Sequence, residues 1–145
     1  MTSFCPGWDA FPAELWAFYA DYRLNTLTTL RPDGRPHTVP VGVMLDAEEQ
    51  CAWIITRVTS RKVANIKRAE QRGEVAHVTV CQVDGGRWST IEGRATVVSD
   101  AASITRAKTL YAARYRPPSE SDEGRVAIRI EVDRILASPM LLVTP

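Results

Sequence analysis

The sequence predicts a mainly β protein of the α+β class: a six-stranded antiparallel split β-barrel with flanking helices. Three observations carry this expectation. Apolar and polar residues alternate with the period of half-buried strands over residues 24–30, 37–45, 75–83, 87–98 and 125–136. Pro32-Asp33-Gly34 and Asp84-Gly85-Gly86 supply hairpin turns between neighbouring strands. Helical spacing is confined to three short stretches. Hairpin connections make a sheet antiparallel, and closing it hides its edges.

The elements follow in order. Pro12 and Glu14 suit a first helical turn, and Leu15, Phe18, Tyr19 and Tyr22 recur on one face, so a helix is expected to cap an open end of the barrel. Residues 24–30 and 37–45 form the first hairpin. After the polar break Asp46-Ala47-Glu48-Glu49-Gln50, the apolar run 51–56 has strand length. Ser60 is placed to N-cap a helix with Val63, Ile66 and Ala69 on one side and Arg61, Lys62, Lys67 and Arg68 around the rest, and Gly73 stops it. Residues 75–83 and 87–98 make a second hairpin whose long strand bends at Gly93. Asp100 caps a helix bearing Ile104, Ala107, Tyr111 and Tyr115 on one face. Pro117-Pro118 ends that helix, a polar loop runs through Gly124, and residues 125–136 form the last strand.

At 145 residues, 45% apolar and 24% charged, the chain is read as one domain over 1–145, with 1–11 as an N-terminal extension. A formal net charge of +1 supplies no global field for nucleic acid or an anionic membrane, so any basic site is local. Three cysteines without CxxC spacing fit reduced thiols in the cytoplasm. No basic start with a continuous apolar stretch marks secretion, and no run approaches a membrane span.

The chemistry concentrates where strand 51–56 passes into the helix at Ser60-Arg61-Lys62. A strand-to-helix junction presents unpaired N–H groups and the positive end of the helix dipole. Arg61 can fork onto two phosphate oxygens and Lys62 adds a mobile point charge. Two readings stay open on residue types alone: an anion grip, or a solvated helix face with a serine cap. The turn Gln82-Val83-Asp84-Gly85-Gly86-Arg87-Trp88 is either a surface for a flat ring or an ordinary hairpin with Trp88 in the core. Arg114-Tyr115-Arg116-Pro117-Pro118 offers a basic, rigid element where an anionic substrate can dock, or a solvated helix end with Tyr115 buried. His37 and His77 lack partners at metal-ligand spacing, so no metal is assigned. No serine or cysteine carries the flanking signals of a nucleophile, which leaves the chemistry to a cofactor.

The element order and Thr59-Ser60-Arg61-Lys62 resemble the split β-barrel flavin and deazaflavin enzymes typified by pyridoxamine 5′-phosphate oxidase, which share an FMN-binding fold. The hairpin running from Thr28-Thr29-Leu30 to Arg35-Pro36-His37 resembles the actinobacterial members that use coenzyme F420. Gln82-Val83-Asp84-Gly85-Gly86-Arg87-Trp88, Glu92-Gly93-Arg94-Ala95 and Tyr111-Ala112-Ala113-Arg114-Tyr115-Arg116-Pro117-Pro118 are similar to the branch of biliverdin reductases dependent on reduced F420. The likeness spans residues 24–142; the segment through Phe11 has no counterpart, and Arg57 and Val58 stand where small residues are expected. The resemblance implies a homodimer with a cofactor in a groove where two barrels meet. It places the cofactor's phosphate tail on Ser60, Arg61, Lys62 and Asn65. The ring is placed along His37, Thr38, Val39, Pro40 and Val41, and against Gln82, Asp84, Gly85, Gly86, Arg87 and Trp88. Hydride would pass from reduced F420 to the central methine of biliverdin or a similar conjugated anion, with Arg87 and Arg114 as contacts for the substrate carboxylates. FMN in an oxidase-type enzyme and a non-catalytic carrier of F420 or a tetrapyrrole are the alternatives.

Overall fold

A computed structural model describes residues 3–5 and 7–143. Of the expected extension over 1–11, residues 1, 2 and 6 lie outside the described residues. The chain order is β1 (Ser3–Phe4), α1 (Ala13–Ala20), β2 (Asn25–Leu30), β3 (Pro36–Val41), β4 (Met44–Asp46), β5 (Cys51–Arg57), α2 (Arg61–Gln71), β6 (Ala76–Asp84), β7 (Arg87–Val98), α3 (Ala101–Arg114) and β8 (Arg125–Ala137). Short 3₁₀ turns occupy Trp8–Ala10 and Pro139–Leu141.

The strands form one antiparallel sheet in the order β3-β2-β6-β7-β8-β5-β4, with β1 beside β8. Its topology explains the barrel. The two ends of the sheet, β3 and β4, are joined only by Gly42 and Val43, a link that spans roughly 10 Å at full extension. The sheet must therefore roll until its edges nearly meet, yet β3 and β4 do not pair. The result is a split barrel with an open seam.

The structure corrects two details of the sequence reading. The strand expected over 37–45 is two strands on opposite edges, so the described sheet has eight strands, counting β1, where six were expected. The break has a steric cause. A Cβ at Gly42 would lie 2.9 Å from the Tyr115 ring and 3.1 Å from the Tyr111 ring, and the Val43 N–H donates to Tyr115 Oη at 3.1 Å. Arg114 also donates to the Val43 carbonyl, so the end of α3 clamps the crossover. Tyr22 is the second correction: α1 ends at Ala20, and Tyr22 sits exposed, edge-on to Tyr115 with centroids 5.2 Å apart.

The helices close what the sheet leaves open. Leu15, Phe18 and Tyr19 of α1 enter a core of Leu27, Val80, Ile91, Ile128 and Ile135, and Tyr19 Oη donates to buried Ser89 at 2.7 Å. At the other end, α2 contributes Val63 and Ile66, and Glu70 accepts from the Val97 N–H at 2.9 Å. Ser89 and Val97 mark opposite ends of β7, so α1 and α2 plug opposite mouths of the barrel. α3 instead packs outside, where Met44, Cys51, Trp53, Ala107 and Ala127 form a second cluster. This explains the continuous apolar run of β5: Ala52 and Ile54 face the barrel core while Cys51 and Trp53 face α3, so both faces are buried.

Candidate functional site

The seam of the barrel is the candidate site. β4 pairs with β5 only as far as Trp53, leaving the far half of β5 with one unpaired edge, and the outer edge of β3 is unpaired as well. Between these edges lies a groove of about 660 Å³ lined by Pro40, Val41, Ile55, Thr56 and Arg57, with Lys62 at one side and the turn after α3 at the other. Unpaired strand edges present main-chain donors and acceptors, a lining suited to the polar rim of a flat heteroaromatic ring.

Lys62 supplies the charge. Its ammonium is half-buried at the start of α2, burial pulls its pKa below the usual lysine range, and no carboxylate reaches it among the described residues. An unpaired cation in a groove is costly unless an anion joins it. Arg61, next to it, is exposed. Ser60 sits at the N-cap position with extended backbone, but its hydroxyl donates to the Arg57 carbonyl at 2.8 Å. The expected side-chain cap is therefore absent, and the first-turn amides of α2 have no hydroxyl on them. His37 lies in the field of this cluster: burial, then Arg31, Arg61 and Lys62, lower its pKa. Its Nδ1 is buried without a partner.

The opposite wall is strapped in place. Arg125, almost fully buried, donates to the Ser119 carbonyl at 2.9 Å, to Ser119 Oγ at 2.8 Å and to the Ser121 carbonyl at 3.1 Å, and pairs with Asp122 at 3.2 Å. Arg57 reaches the same loop through Ser119 Oγ at 3.1 Å. These two guanidiniums hold loop 119–123 against the groove. Arg116, exposed at the mouth, has no acceptor among the described residues.

Of the expected cofactor residues, Pro40, Val41 and Lys62 line the groove; Ser60 and Arg61 adjoin Lys62 at the start of α2 and His37 lies in their field, but these three are outside its lining. Thr38 turns to the outer face, where its hydroxyl meets Thr28 Oγ1 at 2.8 Å, and Val39 packs on the core. Asn65 is only 5% exposed and its amide donates to Thr29 Oγ1 at 2.9 Å, pinning α2 to β2 instead of facing the groove. Gln82 is fully buried: it accepts from Asn25 at 2.9 Å and Arg114 at 2.6 Å, and donates to the Phe18 carbonyl at 2.7 Å. Arg114 spends its donors on Gln82, Val43 and Asp21, which makes it a brace of the barrel. Asp84, Gly85, Gly86, Arg87 and Trp88 form the β6–β7 hairpin, with Asp84 bound by Arg87 and by Arg23 at 3.2 Å. Within one chain this hairpin stays off the groove, because β2 separates β6 from β3. Sequence reasoning missed Ile55, Thr56 and Arg125. The unpaired half of β5, visible once β4 is known to be short, marks out Ile55 and Thr56, and the pairing of Arg57 with Arg125 brings the first residue of β8 to the same groove.

A split barrel with a basic seam defines a class of cofactor-binding proteins, and residues 11–138 match the family model described as pyridoxamine 5′-phosphate oxidase. The chain belongs to the pyridoxamine 5′-phosphate oxidase family. Among its relatives is the F420H2-dependent biliverdin reductase of Mycobacterium tuberculosis (strain CDC 1551 / Oshkosh), 40% identical over 126 residues and covering 87% of each chain. Solved structures with the same fold include a conserved hypothetical protein of M. tuberculosis, at TM-score 0.69 and 24% identity over 87% of this chain and 82% of that one. Another, described as an F420 reductase, has TM-score 0.63 and 19% identity over 82% of this chain and 93% of that one.

Proposed function

We propose that this protein is an oxidoreductase that uses reduced coenzyme F420 to reduce biliverdin, or a similar conjugated and anionic acceptor. The observation that carries this reading is the 40% identity, over 87% of both chains, to an F420H2-dependent biliverdin reductase. The seam fits such a cofactor on its own chemistry. Lys62 and Arg61, with the uncapped amides of α2, suit a phosphate-bearing tail, and the open edges of β3 and β5 suit a ring. When bound, the reduced deazaflavin supplies a hydride, which together with one proton saturates one conjugated double bond of the acceptor.

The protein's own groups bind and orient. Arg116 is placed to take a substrate carboxylate at the mouth of the groove, and Arg57 and Arg125 fix the loop that shapes that mouth. A homodimer belongs to this reading. The outward face of β2, β3 and β6 carries Thr26, Thr28, Leu30, Pro36, Thr38, Pro40, His77, Thr79, Cys81 and Val83, with no Asp, Glu, Lys or Arg among them. Pairing two copies there would bring the hairpin Asp84-Gly85-Gly86-Arg87-Trp88 of one barrel toward the seam of the other. Three free thiols, including Cys51, whose pKa burial pushes up to about 12, suit a reducing cytoplasm.

Anaerobic addition of biliverdin to protein with reduced F420 is expected to reoxidise the cofactor. No reoxidation sinks the enzymatic reading and leaves a carrier. Protein that purifies yellow with a stable flavin band supports FMN instead, since Lys62 grips either phosphate. Lys62→Ala should weaken F420 binding by about 2 kcal/mol with Tm unchanged; equal affinity in a titration places the tail elsewhere.

A further inference from the structure

A second basic crevice lies away from the seam, against the C-terminal half of α2. It has a volume of about 260 Å³ and is walled by α2, the turn between β2 and β3, and the start of β6. Arg68 and Arg72 of α2 and Arg31 of the turn surround it, with Glu74 as the one carboxylate in its wall. Among the described residues none of these three guanidiniums has a carboxylate or side-chain hydrogen-bond partner. Asn65 stands at the wall with 5% exposure; its Nδ2 is used on Thr29, and its Oδ1 is buried with no partner.

Two arginines in the last turns of a helix have a ready explanation, because cations there complement the helix dipole. That account covers Arg68 and Arg72 but neither Arg31, which comes from another element, nor the orphaned Asn65 acceptor. A ligand that offers several anionic oxygens and one O–H donor satisfies all four groups together. We infer that this crevice is a second ligand site, binding a phosphate group whose anionic oxygens meet Arg31, Arg68 and Arg72 and whose remaining hydroxyl donates to Asn65 Oδ1. Asn65, Arg68 and Arg72 fall at positions i, i+3 and i+7, so one face of α2 carries the grip. Lys62, which serves the seam, lies ten residues before Arg72, roughly 15 Å along the helix, so the two sites share a helix without sharing residues.

The test uses inorganic phosphate and sulfate in calorimetric titrations at fixed ionic strength, with the full chain carrying Arg61→Ala and Lys62→Ala to silence the seam. Phosphate is expected to bind one per chain and more tightly than sulfate, which has no hydroxyl to donate. Adding Arg68→Gln and Arg72→Gln should weaken phosphate by at least about tenfold, and Arg31→Gln, on a separate element, should weaken it by itself. Phosphate binding that vanishes in the seam variant, equal binding of sulfate, or affinity unchanged by all three arginine substitutions overturns the proposal. Because no F420 is present, these outcomes are independent of the proposed activity.

Discussion

Asp46 shows how much one side chain can decide. In sequence it opens a polar break, yet in the fold its carboxylate is fully buried and ties three elements together. Trp53 Nε1 donates to it at 2.9 Å, Arg106 grips it through Nε at 2.9 Å and Nη2 at 2.8 Å, and the Glu48 and Glu49 amides donate at 3.1 Å. Burial alone would raise its pKa; the bonds from Arg106, the Glu49 amide and Trp53 outweigh burial and hold it at about 2. A carboxyl depressed in the folded state stabilises above its unfolded pKa and loses that contribution as pH falls through the folded one. Stability should therefore be flat in this group above about pH 4 and decline from there toward pH 2. Asp46→Asn is expected to cost about 3 kcal/mol near neutrality and to flatten the acid limb, as read by urea denaturation across pH. An unchanged acid limb would assign the decline to other carboxylates.

Among the elements, the crossover from β3 to β4 matters most for function. Gly42 is needed because its Cα passes under the rings of Tyr111 and Tyr115, and the Tyr115 hydroxyl is held by donating to the Arg23 carbonyl at 2.7 Å. Gly42 and Tyr111 also line the seam. Gly42→Ala should push the Tyr115 clamp away, shift Val41 and Pro40, and weaken F420 binding by at least about 1.4 kcal/mol. Wild-type affinity in a titration would show that the clamp yields without moving the floor. At Gly93, where a bend was expected, the register of β7 against β8 slips: Glu92 faces Arg134 and Gly93 faces Val132, leaving Asp133 of β8 as the extra residue, and a Cβ on Gly93 would collide with the Glu131 carbonyl.

For the whole molecule, the proposed dimer rests on the outward face of β2, β3 and β6. Thr28 and Thr79 are cross-strand neighbours near its centre. Sedimentation should find a dimer, and Thr28→Arg with Thr79→Arg should convert it to a monomer of similar Tm. If the seam is completed by the partner hairpin, that monomer also loses F420 affinity; a monomer that binds normally would mean one chain holds the cofactor alone. No helix among the described residues is long and apolar enough to cross a membrane.

Local chemistry alone marked out much of this protein. The hairpin turns, the period of the strands, the Asp100 cap that accepts from the Ser103 N–H at 3.0 Å, the stop at Gly73 and the basic start of α2 all depend on neighbours in sequence, so they were legible there. What only the tertiary structure decided depends on distant partners. The splitting of strand 37–45 at Gly42 required rings from α3, some 70 residues on. The inward hydrogen bonding of Gln82, Asn65 and Arg114 followed from acceptors supplied by α1, β2 and the β3–β4 crossover. The seam itself exists because a sheet whose two end strands are linked by two residues must roll but cannot close, a property of topology that no local pattern encodes.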